Sequence, residues 1–375
     1  DASSTAIYGV RGANGVLLIT TRRGKEGKPQ LNLTSNVALN SFVDLREPMN
    51  SAEYTRSYNA ARKYDSYITG SVYTPRFSEE DIAKYESGED PIMYPSTNYY
   101  DMLLKKTSVQ TQQNLTISGG TDKTKYFISG GLFNQEALFK QTSLDPGWDA
   151  QIKFKRYNFR SNFNFDVTKR LKIALDLSMQ NEHRRGSNWN TNRIIQAIGD
   201  APPWQSPGIV DNKIITQGYS QPVSPIVNLL GSGYSKEFRN YLNGTVRADY
   251  ALDFITEGLS AHAKISYQNF NSKRDTYSKN VVTYTVKRLT DGSLQFRPQS
   301  LEEPFGYSEA VGKNRRTYAE AGIDYNRTFG NHAFTGLILY NQTKLFDPNL
   351  AFLVPNGYQG VVGRAPDAEP ERGVV

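Results

Sequence analysis

Cysteine is absent from this 375-residue chain, which removes disulfides, zinc–thiolate sites and iron–sulfur clusters together. Histidine is nearly absent. His183, His262 and His332 lie far apart and lack the i, i+4 spacing of a helical metal pair, so neither a metal centre nor any other cofactor is expected. No run of about 18 apolar residues occurs, and the mean hydropathy is −0.59; a transmembrane helix is therefore excluded. A membrane-spanning barrel passes the same test, because half of each strand faces a polar lumen and dilutes the hydropathy. A secretion leader is missing as well. Asp1 opens a polar stretch with neither a charged n-region nor an apolar h-region, so an exported protein with this sequence is expected to be a fragment lacking its beginning.

What is present is aromatic and basic. Tyrosine (24) and phenylalanine (18) far outnumber tryptophan (3), a balance that suits strands and interfacial girdles. The net charge of +7 would fit nucleic acid. The cations, however, sit in small groups such as Arg22–Arg23–Lys25, Lys105–Lys106, Lys169–Arg170 and Arg184–Arg185, mostly beside strand ends. From there, long side chains reach a headgroup layer, and no nucleic-acid partner is expected.

The opening, Asp1–Arg23, reads as a short capped helix, glycine turns at Gly9, Gly12 and Gly15, and a buried strand over Val16–Thr21. From Gln30 the period changes to two. Leu31, Leu33, Val37 and Leu39 share one face against Asn32, Thr34, Asn36 and Asn40. The sharpest alternation is Tyr157, Phe159, Phe163 and Phe165 against Asn158, Arg160, Asn162, Asn164 and Asp166. Leu171, Ile173, Leu175, Leu177 and Met179 then oppose Lys172, Asp176, Ser178 and Gln180. A one-residue slip would put Arg160 into lipid at about 2–4 kcal/mol, so the register is strongly specified.

Further strands are expected at Val109–Gly119, Tyr126–Asn134, Phe238–Leu252, Leu259–Asn269, Arg316–Arg327 and His332–Gln342, with a stub at Val361–Gly363. Both faces of His332–Gln342 are fairly apolar, which leaves its orientation open. Short connectors (Thr121–Lys123, Thr168–Arg170, Asp253–Gly258, Thr328–Asn331) alternate with long ones (Asp44–Lys106, Gln135–Lys155, Gly186–Ser235, Asn271–Lys313, Thr343–Gly360). Helical pieces are expected in the first long connector, around Ser51–Lys63 and Ser78–Ser87. The whole predicts an all-β, antiparallel up-and-down transmembrane barrel, partial at about nine to ten strands. A soluble sandwich shares the strand period but needs no such connector asymmetry.

Asp1–Lys25 (DASSTAIYGVRGANGVLLITTRRGK) resembles the end of the plug domain of TonB-dependent outer-membrane receptors of the SusC/RagA type. Tyr126–Gln135 (YFISGGLFNQ), Arg156–Asp166 (RYNFRSNFNFD) and Tyr358–Arg364 (YQGVVGR) resemble the same group in the same order. The resemblance implies residues 1–25 ending a plug and 30–364 forming the first part of a twenty-two-stranded barrel with long extracellular loops; residues 365–375 depart from it as an irregular tail.

It also implies an outer-membrane importer in a Gram-negative cell, powered by the TonB complex through an N-terminal segment and lidded by a SusD-like lipoprotein. The cargo would be oligosaccharide or peptide; the alternatives are a receptor for a siderophore or other small ligand and, after it, a soluble secreted β protein that binds carbohydrate. The tail Ala365–Val375, with two prolines and no alternation, is hard to continue as a strand and points to truncation or a frameshift.

For ligand contact the candidates are Trp148, Trp189, Asn190, Asn192, Asp200 and Trp204, all on long connectors. Indole faces stack on the apolar faces of sugar rings while amides and carboxylates bond hydroxyls. The alternative is that these residues pack their own loops. Arg11, Arg22 and Arg23 are candidates for holding the plug to lumen carboxylates such as Asp166, Asp176 or Asp249. Adjacent acids at Glu79–Glu80–Asp81 and Glu302–Glu303 would suit hydrolysis, but such runs are ordinarily solvated faces or helix starts, so no catalysis is expected.

Overall fold

The computed structural model describes residues 21–142, 144, 147–216, 224–230, 233–330, 332–348, 356–364 and 369–370. Ten antiparallel strands follow one another through a single large sheet. They are β1 (Gly27–Asn40), β2 (Ser108–Gly120), β3 (Thr124–Glu136), β4 (Lys153–Asp166), β5 (Leu171–Ser187), β8 (Gly233–Ala251), β9 (Leu259–Ser278), β12 (Gly306–Phe329), β13 (His332–Phe346) and β14 (Asn356–Arg364). Each pairs with its predecessor, the up-and-down order expected of a barrel wall. The expected stub at Val361–Gly363 is the C-terminal part of a longer strand, β14. Beyond it, two residues, β15 (Glu369–Pro370), pair with β13, where the tail was expected to carry no strand.

The register follows from the side chains. On one face Phe163 stands opposite Leu175, and Leu175 opposite Val246; on the other Asn162 stands opposite Asp176, and Asp176 opposite Thr245. The apolar face is the solvent-accessible outside: Val246, Ile265, Ile323, Ile338 and Val361 are all well exposed, while Asn162 is only 2% exposed. In a bilayer those exposed side chains meet lipid, and the hydrophilic row lines the interior. The open question of β13 is settled by pairing. Ile338 and Tyr340 share the outward row with Ile323 and Ala321, which turns Leu339 and Thr343 inward, where both are buried.

At one end the sheet is closed by the short connectors 121–123, 167–170, 252–258 and 330–331. Gly258 serves one of them with φ +82°, and a side chain there would drive into the Asn326 carbonyl. At the other end the connectors 41–107, 137–152, 188–232 and 279–305 are long and folded. Strands β5, β8, β9 and β12 run well past the apolar belt toward them, so both ends of the segment read as the loop Asn271–Lys313 belong to β9 and β12, and 279–305 form the connector.

The first connector carries α1 (Ser51–Thr69), α2 (Glu79–Ser87) and α3 (Tyr99–Leu103). The start of α1 is fixed by a capping box, in which Asn50 Oδ1 accepts from the Glu53 amide at 2.9 Å and Glu53 accepts from the Asn50 amide at 3.0 Å. Ser78 and Asp81 repeat the device at α2. The third connector carries α4 (Thr191–Asp200), β6 (Ile209–Val210), β7 (Lys213–Ile215) and α5 (Pro225–Leu230), and the fourth carries the hairpin β10 (Thr283–Arg288) and β11 (Leu294–Pro298). Strand β10 pairs in parallel with β7, joining two connectors into one four-stranded sheet.

The dry core lies among these connectors and outside the sheet. Tyr99, Leu103, Leu104, Phe139, Ile194, Ile198, Ile214, Ile226, Leu229 and Leu230 form one buried cluster drawn from three connectors. Barrel walls need no such core, because their apolar face is satisfied by lipid; the connectors stand in water and must bury their own. Among the described residues no helix is long and apolar enough to cross a membrane.

Candidate ligand chamber inside the sheet

Residues 21–25 run along the inner face of the sheet. The Arg23 guanidinium meets the Asp176 carboxylate through Nη1–Oδ1 at 2.5 Å and Nη2–Oδ2 at 2.9 Å. Asn162 Nδ2 donates to the Arg22 carbonyl at 2.8 Å. Gly24 is buried against the Tyr126 backbone so closely that any side chain would clash there. Of the three arginines expected to hold this segment, Arg23 meets one of the named carboxylates and Arg22 is held through its backbone. Arg11 lies outside the described residues.

Above this segment the lumen is amide-rich. A cavity of about 740 Å³ is bordered by Arg22, Asn114, Asn158, Arg160, Gln180 and Asn243 among others. Primary amides both donate and accept, so such a wall can bond hydroxyls or peptide groups with equal ease. Further round the sheet the inward rows of β8, β9 and β12 are charged. His262 Nδ1 lies 2.6 Å from Asp324, Lys264 Nζ 3.4 Å from Glu320, and Arg247 2.7 Å from Asp249.

A second cavity, of about 480 Å³, opens where the lumen meets the connectors. Phe42, Phe139, Phe154, Ile152 and Ile195 supply an apolar side, while Glu182, Arg184, Glu237 and Arg239 supply a charged one. The charged side is balanced by register: Glu182 stands opposite Arg239, and Arg184 opposite Glu237. Arg239 also pairs with Glu237 at 2.7 Å. A wall of this kind offers both signs at fixed positions next to rings, which suits a neutral polar or zwitterionic ligand better than a strongly charged one.

The six residues expected to contact ligand are placed mostly in loop packing. The Trp189 ring lies under the Arg193 guanidinium at 4.1 Å and packs on the connector core. Asn190 caps α4, its Oδ1 accepting from the Arg193 amide at 2.8 Å. Asn192 and Asp200 are exposed on α4. Trp204 meets Phe77 edge-on at 5.0 Å with the Arg76 guanidinium 5.1 Å from its ring. Trp148 borders a cavity of about 510 Å³ shared with Gln141, Asp149 and Leu229, while its indole N–H donates to the Leu230 carbonyl at 3.1 Å.

The chamber residues Glu182, Arg184, Glu237 and Arg239 were not among the expected contacts. Their signal was available in the alternation. Following the polar parity of Asp176, Ser178 and Gln180 beyond the end of the apolar face leads to Glu182 and Arg184.

Two ties join the first connector to others. Arg288 on β10 grips Asp90 through Nε at 2.6 Å and Nη2 at 2.9 Å. That guanidinium, with the amides of Met93 and Ile92, holds the Asp90 carboxyl down at about 2. Tyr99, on α3, reaches the Ser206 carbonyl of the third connector at 3.4 Å. Burial pushes its hydroxyl up to about 12.

No family model matches the chain. Over 374 residues it is 31% identical to TonB-dependent receptor P3 of Formosa agariphila, covering 96% of this chain and 30% of that protein. It is 24% identical over 278 residues to TonB-dependent receptor SusC of Bacteroides thetaiotaomicron, covering 71% of this chain and 25% of that protein. Its fold matches the RagAB peptide importer in the open-open state with a TM-score of 0.67 at 17% identity, over 96% of this chain and 42% of the other. The chain thus spans less than a third of the length of these two curated relatives.

Proposed function

We propose, given that this chain belongs to the TonB-dependent outer-membrane receptors of the SusC/RagA type, that it forms part of the wall of an active importer of oligosaccharides or peptides. In this reading residues 1–25 end the plug, 30–364 build the first part of the barrel, and 365–375 lie beyond β14. The observation that carries the proposal is the seating of residues 22–24 on the lumen wall through Asp176, Asn162 and Tyr126, beside the amide-rich cavity. A segment held by a few polar contacts can be released by a pull, and the chamber above it then empties toward the periplasm.

Energy would come from the TonB complex, and a SusD-like lipoprotein would cover the connectors. No residue of the chamber is assigned a catalytic role; the cargo passes intact. The test is uptake of labelled oligosaccharides and oligopeptides by cells carrying the full-length receptor, with and without a protonophore. Uptake of one class that stops when the proton-motive force collapses is the expected result. Uptake indifferent to the protonophore, or of an iron chelate alone, overturns the proposal.

A further inference from the structure

Beyond the apolar belt the outward face of the sheet changes character. Tyr157 on β4, Met179 on β5, Leu242 on β8 and Tyr267 on β9 are exposed outward side chains of the belt. Toward the long connectors, on the same face, Lys155 stands opposite His183, His183 opposite Phe238, and Phe238 opposite Lys273. In the row above, Lys153 stands opposite Arg185, Arg185 opposite Lys236, and Lys236 opposite Asp275.

Three cations therefore face one another across three neighbouring strands. Like charges at directly opposite positions destabilise a sheet unless an anion lies between them. The protein supplies few. Asp149 reaches Lys153 at 3.3 Å and Arg185 at 4.0 Å. Asp275 and Glu309 each lie 3.1 Å from Lys273, and both also accept from the Tyr307 hydroxyl, at 2.7 and 2.9 Å. Among the described residues Lys155 and Lys236 have no carboxylate in ion-pair contact. The Tyr234 ring lies 5.6 Å from both Arg185 and Lys236 and steadies their heads at the top of the patch.

We propose that Lys153, Lys155, Arg185 and Lys236 form a binding site for the phosphate of a membrane-lipid headgroup. The patch is continuous with the belt that meets acyl chains, so a lipid packed on Leu242 and Tyr267 presents its headgroup at this height. A phosphate brings negative charge and several acceptor oxygens to cations that have too few. The inference rests on the placement of the barrel in the outer membrane and not on what the receptor imports, so it can fail while the transport reading stands.

The test uses the full-length receptor extracted from outer membranes and exchanged into phosphatidylcholine nanodiscs containing a minor fraction of diphosphorylated lipid A. Parallel discs contain lipid A stripped of its phosphates. Lipid retained after detergent release is measured by native mass spectrometry, for the natural protein and for a variant combining Lys153→Gln, Lys155→Gln and Lys236→Gln. The expected result is retention of the phosphorylated lipid by the natural protein, a fall of roughly tenfold in the variant, and no retention of the stripped lipid.

A control combining Lys153→Arg, Lys155→Arg and Lys236→Arg keeps the charge and is expected to retain the lipid. If the triple glutamine variant fails to assemble, Lys155→Gln alone, at an exposed position, carries the comparison and is expected to lower retention. Equal retention by natural and glutamine-substituted proteins, or equal retention of lipid with and without phosphates, overturns the proposal.

Discussion

Arg23 and Asp176, 153 positions apart in the chain, meet as a fork on a carboxylate with both guanidinium contacts within 2.9 Å. Their side chains keep 40% and 33% of their exposure, so the pair is wet. A wet pair holds a segment weakly and specifically, which is the property a releasable contact requires. By double-mutant cycle, Arg23→Ala and Asp176→Asn are expected to couple by about 0.2–1 kcal/mol. A spin label at Thr21 of the full-length receptor should gain mobility in either variant and no more in both together. Fully additive effects would show that the two side chains do not act as a pair.

The inside–outside assignment predicts an asymmetry between neighbouring strands. Val246 faces outward in mid-belt at 48% exposure, whereas Ser178 borders the lumen cavity. Val246→Arg is expected to cost about 2–4 kcal/mol in a bilayer and to reduce heat-modifiable, membrane-assembled receptor. Ser178→Arg should assemble normally. Equal defects from the two substitutions would contradict the register.

The tie between Asp90 and Arg288 predicts a dependence on acidity. Because the folded Asp90 carboxyl sits at about 2, below its ordinary 3.8, its contribution is fully present above about pH 4 and is lost as the pH falls toward 2. Hydrogen exchange in residues 88–98 should therefore accelerate over that acidic window. Arg288→Ala should make the same region exchange faster at neutral pH and flatten the acid step.

The connector core predicts local rather than global failure. Ile194 is 0% exposed and belongs to the cluster shared by three connectors. Ile194→Ala is expected to remove about 2–5 kcal/mol from that cluster, opening residues 188–232 to protease while the barrel keeps its heat-modifiable migration. Loss of both together would mean that connectors and wall fold as one unit.

Trp189 and Trp204, expected as ligand contacts, and the residues that line the cavity of about 480 Å³ differ for a definite reason. Trp189 and Trp204 stand in polar connectors, and sequence alone leaves an indole free to stack on a sugar or on its own loop. The structure gives them Arg193, Phe77 and Arg76 as neighbours. The chamber is made by Phe154 and Arg184 in strands and by Phe139 and Ile195 in connectors. These residues are far apart in the chain and join only when β4, β5 and the loops come together.

Alternation over Tyr157–Asp166 and Leu171–Gln180 was enough to set which side chains meet lipid, because a period of two leaves one workable register and any slip places charge in hydrocarbon. The asymmetry of short and long connectors was enough to order the strands. The sequence also placed helical pieces around Ser51–Lys63 and Ser78–Ser87, where α1 and α2 begin. What only the tertiary structure decided is which connectors share a core, which carboxylate Arg23 finds, and how three outward cations come to face one another. Those are contacts between distant segments, and a linear pattern carries no information on which of many compatible partners the folded chain brings within reach.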